Sequence, residues 1–454
     1  MTGGSADNFA GSNDSYSFDL TPTASGTITV DIASGVAADS ANNTNAAADQ
    51  FSIVYDNQPP TSTSISIAGG VNEINNAAVN LGLGATEASE MYLTNTAGCN
   101  AGGSWETYTA TKDWTLGQSN ETATVYVKFR DVAGNESSCI NDTIIHDSIS
   151  PTAVLSSTPV TPTNNAAYDI DVQTDEGLVS YQYAVIASVS LCSAASYSNS
   201  WVDHSLNISG NISGPGSWKL CVIGQDAAGN AQTAANATEY IWQYDNLQPT
   251  VVITSTNSDP NNDAVMSVAF TFSENVSGFV VGDLNISGGS AANFSGSNNS
   301  YTMDLTPTAA GTLTIDVPSG VASDASGNTN AEATQFTIVY DNVPPGSTTI
   351  SIAGGAVYTN NTAVTLSLGA LEVQEMYLTN TAGCETGGSW EAFVTNKAWS
   401  LGQSNESATV YVKYRDALGN ESSCISDGII HDGVAPVAVI TGMPSSSTAD
   451  GAYD

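Results

Sequence analysis

Apolar and polar residues alternate along most of this chain with a period of two. In Thr124-Val-Tyr-Val-Lys-Phe-Arg130, the residues Val125, Val127 and Phe129 share one face, and Tyr126, Lys128 and Arg130 share the other. Leu313-Thr-Ile-Asp-Val317 reads the same way, with Leu313, Ile315 and Val317 pointing inward. Successive side chains of a strand point to opposite faces of a sheet, so this alternation predicts half-buried strands. Turn signals separate the runs: Ala-Gly-Asn at 133–135, Ser-Gly-Asn at 326–328 and Gly-Gly at 288–289. No stretch carries the stripe of an amphipathic helix.

A regular punctuation cuts the strand pattern. Asp-x-x-x-Pro occurs at Asp56/Pro60, Asp147/Pro151, Asp245/Pro249, Asp341/Pro345 and Asp432/Pro436, at intervals of 91, 98, 96 and 91 residues. Each mark follows a strand-like run, such as Phe51-Ser-Ile-Val-Tyr55 or Thr143-Ile-Ile-His146, and precedes a fresh one, such as Ser64-Ile-Ser-Ile67. Proline fixes φ and removes a backbone donor, so it ends one sheet and stiffens the passage to the next. Three consecutive intervals make up a longer repeat of 285 residues, in which Tyr55 matches Tyr340, Cys99 matches Cys384, Trp105 matches Trp390 and His146 matches His431. The register holds without a gap from Met1/Ile286 to Asp169/Asp454.

The chain therefore reads as modules in the order A-B-C-A-B-C. Residues 1–58 are a partial A, 59–149 B, 150–247 C, 248–343 a complete A, 344–434 B, and 435–454 the start of a further C. Short alternating strands and frequent turns in units of this size predict an all-β chain, a tandem array of Ig-like (immunoglobulin- or fibronectin-like) antiparallel β-sandwiches. With strands of ~8–10 residues rising ~3.3 Å each, a module is about 30 Å long, and four to five in line reach about 120–150 Å. Block duplication favours an array over an enzyme, because one active site needs one unique constellation while an array needs length.

Composition narrows the partners. Charged residues are only 11% of the chain, and the charge is one-sided: 45 acidic against 7 basic residues, net −38. Phosphate contacts need clustered Lys and Arg, so nucleic acid is excluded as a partner and an anionic membrane surface disfavoured. No apolar run reaches the ~20 residues that span a bilayer. The N-terminal Met-Thr-Gly-Gly-Ser lacks a charged and then an apolar region, so any export signal or anchor is expected outside this segment. The six cysteines fall two to a module, which predicts disulfides Cys99–Cys139, Cys192–Cys221 and Cys384–Cys424 and an oxidising compartment. Trp105, Trp114, Trp201, Trp218, Trp390 and Trp399 read as core or rim packing residues. There is no Gly-x-Ser-x-Gly, His-Glu-x-x-His or phosphate-binding glycine loop, so no catalytic residues are expected.

Thr271-Phe-Ser-Glu-Asn-Val-Ser-Gly-Phe-Val-Val-Gly-Asp-Leu284, with Tyr301-Thr-Met-Asp-Leu-Thr-Pro-Thr308 and Ala322-Ser-Asp-Ala-Ser-Gly-Asn328, resembles the bacterial Ig-like repeats of large surface adhesins. The B and C modules, with Arg-Asp-Val-Ala-Gly-Asn at 130–135 and Gln-Asp-Ala-Ala-Gly-Asn at 225–230, resemble companion modules of the same giant proteins. The resemblance implies secretion, cell-surface attachment, a part in biofilm or host adhesion, and calcium between modules.

The residues offer candidates for that calcium. Asp-x-x-Gly-Asn stands at Asp131/Asn135, Asp226/Asn230, Asp324/Asn328 and Asp416/Asn420; in the partial A module it is Asp39-Ser-Ala-Asn-Asn43, where Asn42 takes the glycine's place and its left-handed backbone. Asp and Asn cap such turns on their own, and the motif read alone is equally a plain turn. It can also offer a carboxylate and carbonyl oxygens to a hard cation. The linker aspartates Asp56, Asp147, Asp245, Asp341 and Asp432 would add carboxylates at the same end of the module. Tyr-Asp-Asn at 55–57, 244–246 and 340–342 echoes the linkers of cadherins, whereas Asp147 and Asp432 are followed by Ser148 and Gly433. Glu274 and Asp283 read as a solvated surface pair, with another acidic site as the alternative.

The expected role is a structural extender or stalk of a bacterial adhesin, with calcium-stiffened joints and with host or matrix glycans or proteins bound by regions outside this segment. Three other roles share the architecture: adhesive modules that bind glycans or partner copies, non-catalytic accessory modules of an extracellular polysaccharide-degrading enzyme, and a filament or surface-layer subunit.

Overall fold

The alternating runs form strands throughout the computed structural model, which describes residues 1–174, 177–439 and 441. The 435–454 segment expected to open a further C module lies mostly outside the described residues. Helical structure among the described residues is limited to short 3-10 turns such as Val281–Asp283. Contacts divide the chain into two units, Met1–Tyr244 and Asp245–Asp454.

In the first unit, Gly4–Ser12 pairs with Ser15–Pro22 and Gly26–Val30 with Phe51–Tyr55, each as an antiparallel two-stranded ribbon. Next comes a sandwich. Its three-stranded sheet orders Thr111–Thr115, Ala78–Thr86 and Thr61–Ile67; its five-stranded sheet orders Glu73–Ile74, Ile140–His146, Glu121–Arg130, Glu90–Thr94 and Trp105–Thr107. Val125, Val127 and Phe129 are fully buried between the sheets with Leu81, Met91 and Leu93. A second sandwich pairs Ala153–Ser156, Ala167–Thr174 and Ile208–Asn211 with the sheet of Val202–Asp203, Leu178–Ala187, Gly216–Asp226 and Thr238–Tyr244. Its core centres on Trp242, Tyr181, Leu220 and Val222.

The second unit begins with a complete sandwich. One sheet orders Val251–Ser255, Met266–Phe272, Ser300–Pro307 and Gly289–Ser297; the other orders Asn285–Ser287, Gly311–Asp316 and Phe336–Tyr340. Leu313, Ile315 and Val317 face an aromatic cluster of Phe270, Phe272, Phe279 and Tyr301. The sandwich that follows repeats the first unit's, with Gly346–Ile352, Ala363–Leu371 and Asn396–Ser400 against a five-stranded sheet that includes Ser407–Arg415 and Ile425–His431. Burial of these two-sheet cores, roughly 1.5–3 kcal/mol for each enclosed large apolar side chain, is what a strand with one greasy face gains by pairing sheets.

Disulfides join Cys99–Cys139, Cys192–Cys221 and Cys384–Cys424, the pairs that the two-per-module count predicts. The tryptophans are more varied. Trp114 and Trp399 pack on their cores and donate Nε1–H to Asn95 and Asn380, both at 2.8 Å. Trp201 is 36% exposed, and the most buried indole is Trp242, at 1%, which carries no motif to mark it.

Candidate functional site

Each module ends on a strand that runs directly into a linker aspartate. In the four sandwiches a short parallel partner holds that strand's end. The Asp147 N–H donates to Ile74, the Asp341 N–H to Asn261 and the Asp432 N–H to Thr359, at 2.9–3.0 Å. Each linker aspartate then folds back on itself. Oδ1 of Asp56, Asp147, Asp245, Asp341 and Asp432 accepts the backbone N–H two residues on, at 2.9–3.0 Å. These Asx turns fix the chain's exit direction before the proline. Pro60, Pro151, Pro249 and Pro345 are all buried against the module they open. Where the linker lacks its own Asn, a module residue substitutes: Asn120 Oδ1 accepts the Ser148 N–H and Asn405 Oδ1 the Gly433 N–H, both at 2.8 Å.

The Asp-x-x-Gly-Asn turns meet these linkers. Gly134, Gly229, Gly327 and Gly419 sit at φ of 89–93°, and Asn42 takes a φ of 59° at the glycine position of the partial module. In every copy the motif aspartate is saturated by its own asparagine. Asp131 Oδ1 accepts the Asn135 N–H at 2.9 Å and Oδ2 accepts the Asn135 amide at 2.9 Å; Asp226, Asp324 and Asp416 do the same with Asn230, Asn328 and Asn420 at 2.8–2.9 Å. The same asparagine amide also donates to the carbonyl of the linker aspartate. Asn135 reaches Asp56 at 3.0 Å, Asn230 reaches Asp147 at 2.8 Å, Asn328 reaches Asp245 at 2.9 Å and Asn420 reaches Asp341 at 2.9 Å. Burial pushes the Asp131 carboxyl up, but the amide and N–H donors of Asn135, Gly134 and Ala133 together outweigh it and hold it below the ordinary carboxylate range.

A third acidic group joins two of these places. Carboxylate oxygens of Asp245, Glu274 and Asp324 lie within 4.8 Å of one another. Burial, then Asp324 and Asp245, pushes the Glu274 carboxyl above its ordinary value. Asp283 is not among the three; its Oδ2 accepts the Val280 N–H at 2.8 Å at the start of a short turn. Glu87 stands at the corresponding point of the first B module, where it lines a cavity of about 750 Å³ with Asp56 and Asp131. Glu372 follows the strand Ala363–Leu371 in the second. Sequence reasoning singled out Glu274 but set it with Asp283 and not with Asp245 and Asp324, although an acidic residue just beyond the second long strand of a module was visible at all three positions.

All seven basic residues are paired with glutamates, and six of them lie in the two B modules. Arg130 bonds Glu90 and lies over the Trp105 ring at 4.4 Å, and Arg415 covers Trp390 at 4.3 Å. One face of each of these two half-buried indoles is therefore already occupied by a cation of the same module.

Comparison with known proteins places part of this chain. Residues 245–340 match the bacterial Ig-like domain family. That span takes in all but the last three residues of the complete A module. Among solved structures, the chain is similar to invasin, a bacterial integrin-binding protein, with 11% identity, a TM-score of 0.32 and coverage of 82% of this chain and 79% of that one. It is similar to the fibronectin(III)-like modules of Clostridium thermocellum CbhA, with 14% identity, a TM-score of 0.25 and coverage of 40% and 94%. The chicken CNTN1 FN1–FN3 domains also match, with 12% identity, a TM-score of 0.20 and coverage of 62% and 99%. Comparison with curated proteins gives no match. No helix among the described residues is long and apolar enough to cross a membrane.

Proposed function

We propose that this chain is an extender segment of a secreted or cell-surface bacterial adhesin, a series of Ig-like modules that holds a binding region away from the cell. The observation that carries the reading is the recurrence of one linker contact, turn asparagine to linker carbonyl, in modules of all three types. A chain that repeats its joints with its cores is built to transmit position along its length. The bacterial Ig-like match of residues 245–340 and the disulfides support a location outside the cytoplasm. Host or matrix proteins or glycans would be held by regions beyond this segment.

Calcium is part of the proposal. Asp245, Glu274 and Asp324 bring three carboxylates to one point, and an oxygen-liganded dication there would offset the burial and the repulsion that together raise Glu274. The test is calorimetry and small-angle X-ray scattering of the whole chain in millimolar calcium and in excess chelator. Calcium is expected to raise the melting temperature of the module that holds Glu274. Glu274→Gln is expected to raise it in chelator and to erase the calcium-dependent gain. Melting and scattering profiles identical in both conditions would remove calcium from the reading.

A further inference from the structure

The Asp-x-x-Gly-Asn turn makes a contact that needs no cation. Its asparagine amide carries two N–H groups. In each of the four complete motifs one serves the motif carboxylate and the other the carbonyl of the linker aspartate 79–83 residues away. At the linker of Asp341 the contact extends one step further. Asn262, in the loop between Val251–Ser255 and Met266–Phe272 of the preceding module, donates its amide to the Leu418 carbonyl at 2.8 Å and to Asn420 Oδ1 at 3.0 Å. Asn420 is thereby engaged through its backbone N–H, its amide N–H groups and its amide oxygen. Asp416 Oδ1 accepts from Leu418 and Asn420, and Oδ2 from Asn420 again. Donors already surround the groups that a cation would need.

We infer that this turn is an amide clasp, which fixes a module to the linker and to the module before it in the absence of metal, with Asn420 and Asn262 as the two sides of the clasp at Asp341. The inference rests on the extender reading and divides its labour. A dication, where it binds, acts through Asp245, Glu274 and Asp324, whereas the clasp acts at Asp341 regardless of calcium. Asn75 occupies Asn262's position in the first B module: each directly follows the residue whose carbonyl accepts the linker aspartate's N–H. It lies beside Gly229 of the next module's turn, its amide nitrogen 3.5 Å from where a Cβ on that glycine would stand. An amide from the preceding module is thus placed at the turn in both settings.

The experiment measures a distance distribution by pulsed electron paramagnetic resonance on the full chain, with spin labels on noncanonical residues at the exposed positions Ala309 and Ser404. The unsubstituted chain is expected to give a narrow distribution, the same in calcium and in chelator. Asn420→Ala is expected to broaden it equally in both. Asn262→Ala, which leaves the turn's own hydrogen bonds untouched, is expected to broaden it in both as well and covers the case in which Asn420→Ala disturbs the fold. A narrow distribution retained by both variants would overturn the clasp. So would a distribution in the unsubstituted chain that is narrow in calcium and broad in chelator, an outcome that would leave the calcium-stiffened extender standing. A distribution already broad in calcium would overturn both the clasp and the stiff joint.

Discussion

The repeat places one tyrosine in two environments and so provides an internal measurement of its packing. Tyr301 is 6% exposed; its ring lies 5.1 Å from Phe279, 5.8 Å from Phe294 and 6.0 Å from Phe272. Tyr16, its partner at 285 residues, is 58% exposed and has one ring neighbour, Phe9 at 5.6 Å. Truncating a buried aromatic to alanine costs about 3–5 kcal/mol, through lost transfer energy and the cavity left behind. The three ring contacts lie within that figure at ~0.5–1.5 kcal/mol each, so Tyr301→Ala is expected to cost about 4 kcal/mol. Tyr16→Ala is expected to cost under ~0.5 kcal/mol, the range of surface substitutions. Hydrogen exchange read by mass spectrometry on the full chain separates the modules. Peptides from Met266–Phe272 and Ser300–Pro307 should exchange about a thousandfold faster in Tyr301→Ala, since each 1.4 kcal/mol is roughly tenfold. Peptides from Ser15–Pro22 should be unchanged in Tyr16→Ala. Equal effects of the two substitutions, or a Tyr301→Ala cost below ~1 kcal/mol, would refute the packing argument.

Two further outcomes follow from the covalent links and the carboxylates. Reducing Cys99–Cys139 or Cys384–Cys424, each spanning 40 residues, is expected to destabilise its module by about 4 kcal/mol. The cysteine-free module at 248–343 should keep its calorimetric transition, and a fall there in reductant would count against separately folding cores. The pH response should have two opposite parts when followed by calorimetry in chelator. Asp131 titrates below its unfolded value of ~3.9, so its contribution is complete above that pH and is lost as the pH falls below it. Glu274 is raised, so its ionised form costs stability at neutral pH, and its module should gain as the pH falls through the raised value. A module containing Glu274 that only loses stability from neutrality downward would contradict the crowding of the three carboxylates.

How much of this was legible in the sequence follows from the range over which each feature is set. Strand faces are local. Val125, Val127 and Phe129 alternate with Tyr126, Lys128 and Arg130, and burial follows the alternation residue by residue. The left-handed turn is local as well, since glycine or Asn42 suffices to mark it. Disulfide pairing needed only the module boundaries, because two cysteines in a module leave one choice. Trp242 was not legible. A buried strand indole differs from a rim indole in what lies across the sheet, Tyr168 and Tyr181 in this case, and nothing adjacent in sequence encodes that.

The joints show where reading along one dimension stops. The Asp-x-x-Gly-Asn spacing points to a turn and to carboxylates near a linker, and both are present. What the spacing cannot express is the direction of the asparagine amide, whose acceptor is a backbone carbonyl nearly a whole module upstream. A carbonyl carries no residue identity, so its partner leaves no motif. The third carboxylate was hidden for a related reason. Glu274 is 29 residues after Asp245 and 50 before Asp324, and only the sandwich brings the strand end, the linker and the turn to the same edge. The acidic pattern alone therefore favours a cation at every joint, whereas the same amide bonds recur at Asp131, Asp226, Asp324 and Asp416, and the added glutamate is what marks one joint out. At Asp416 the N–H donors of Leu418 and Asn420 satisfy the carboxylate, and the clasp to the Asp341 carbonyl and to Asn262 is made without a further acidic group. Where a glutamate is pressed against two aspartates, as at Glu274, the excess negative charge is the feature that a dication would relieve.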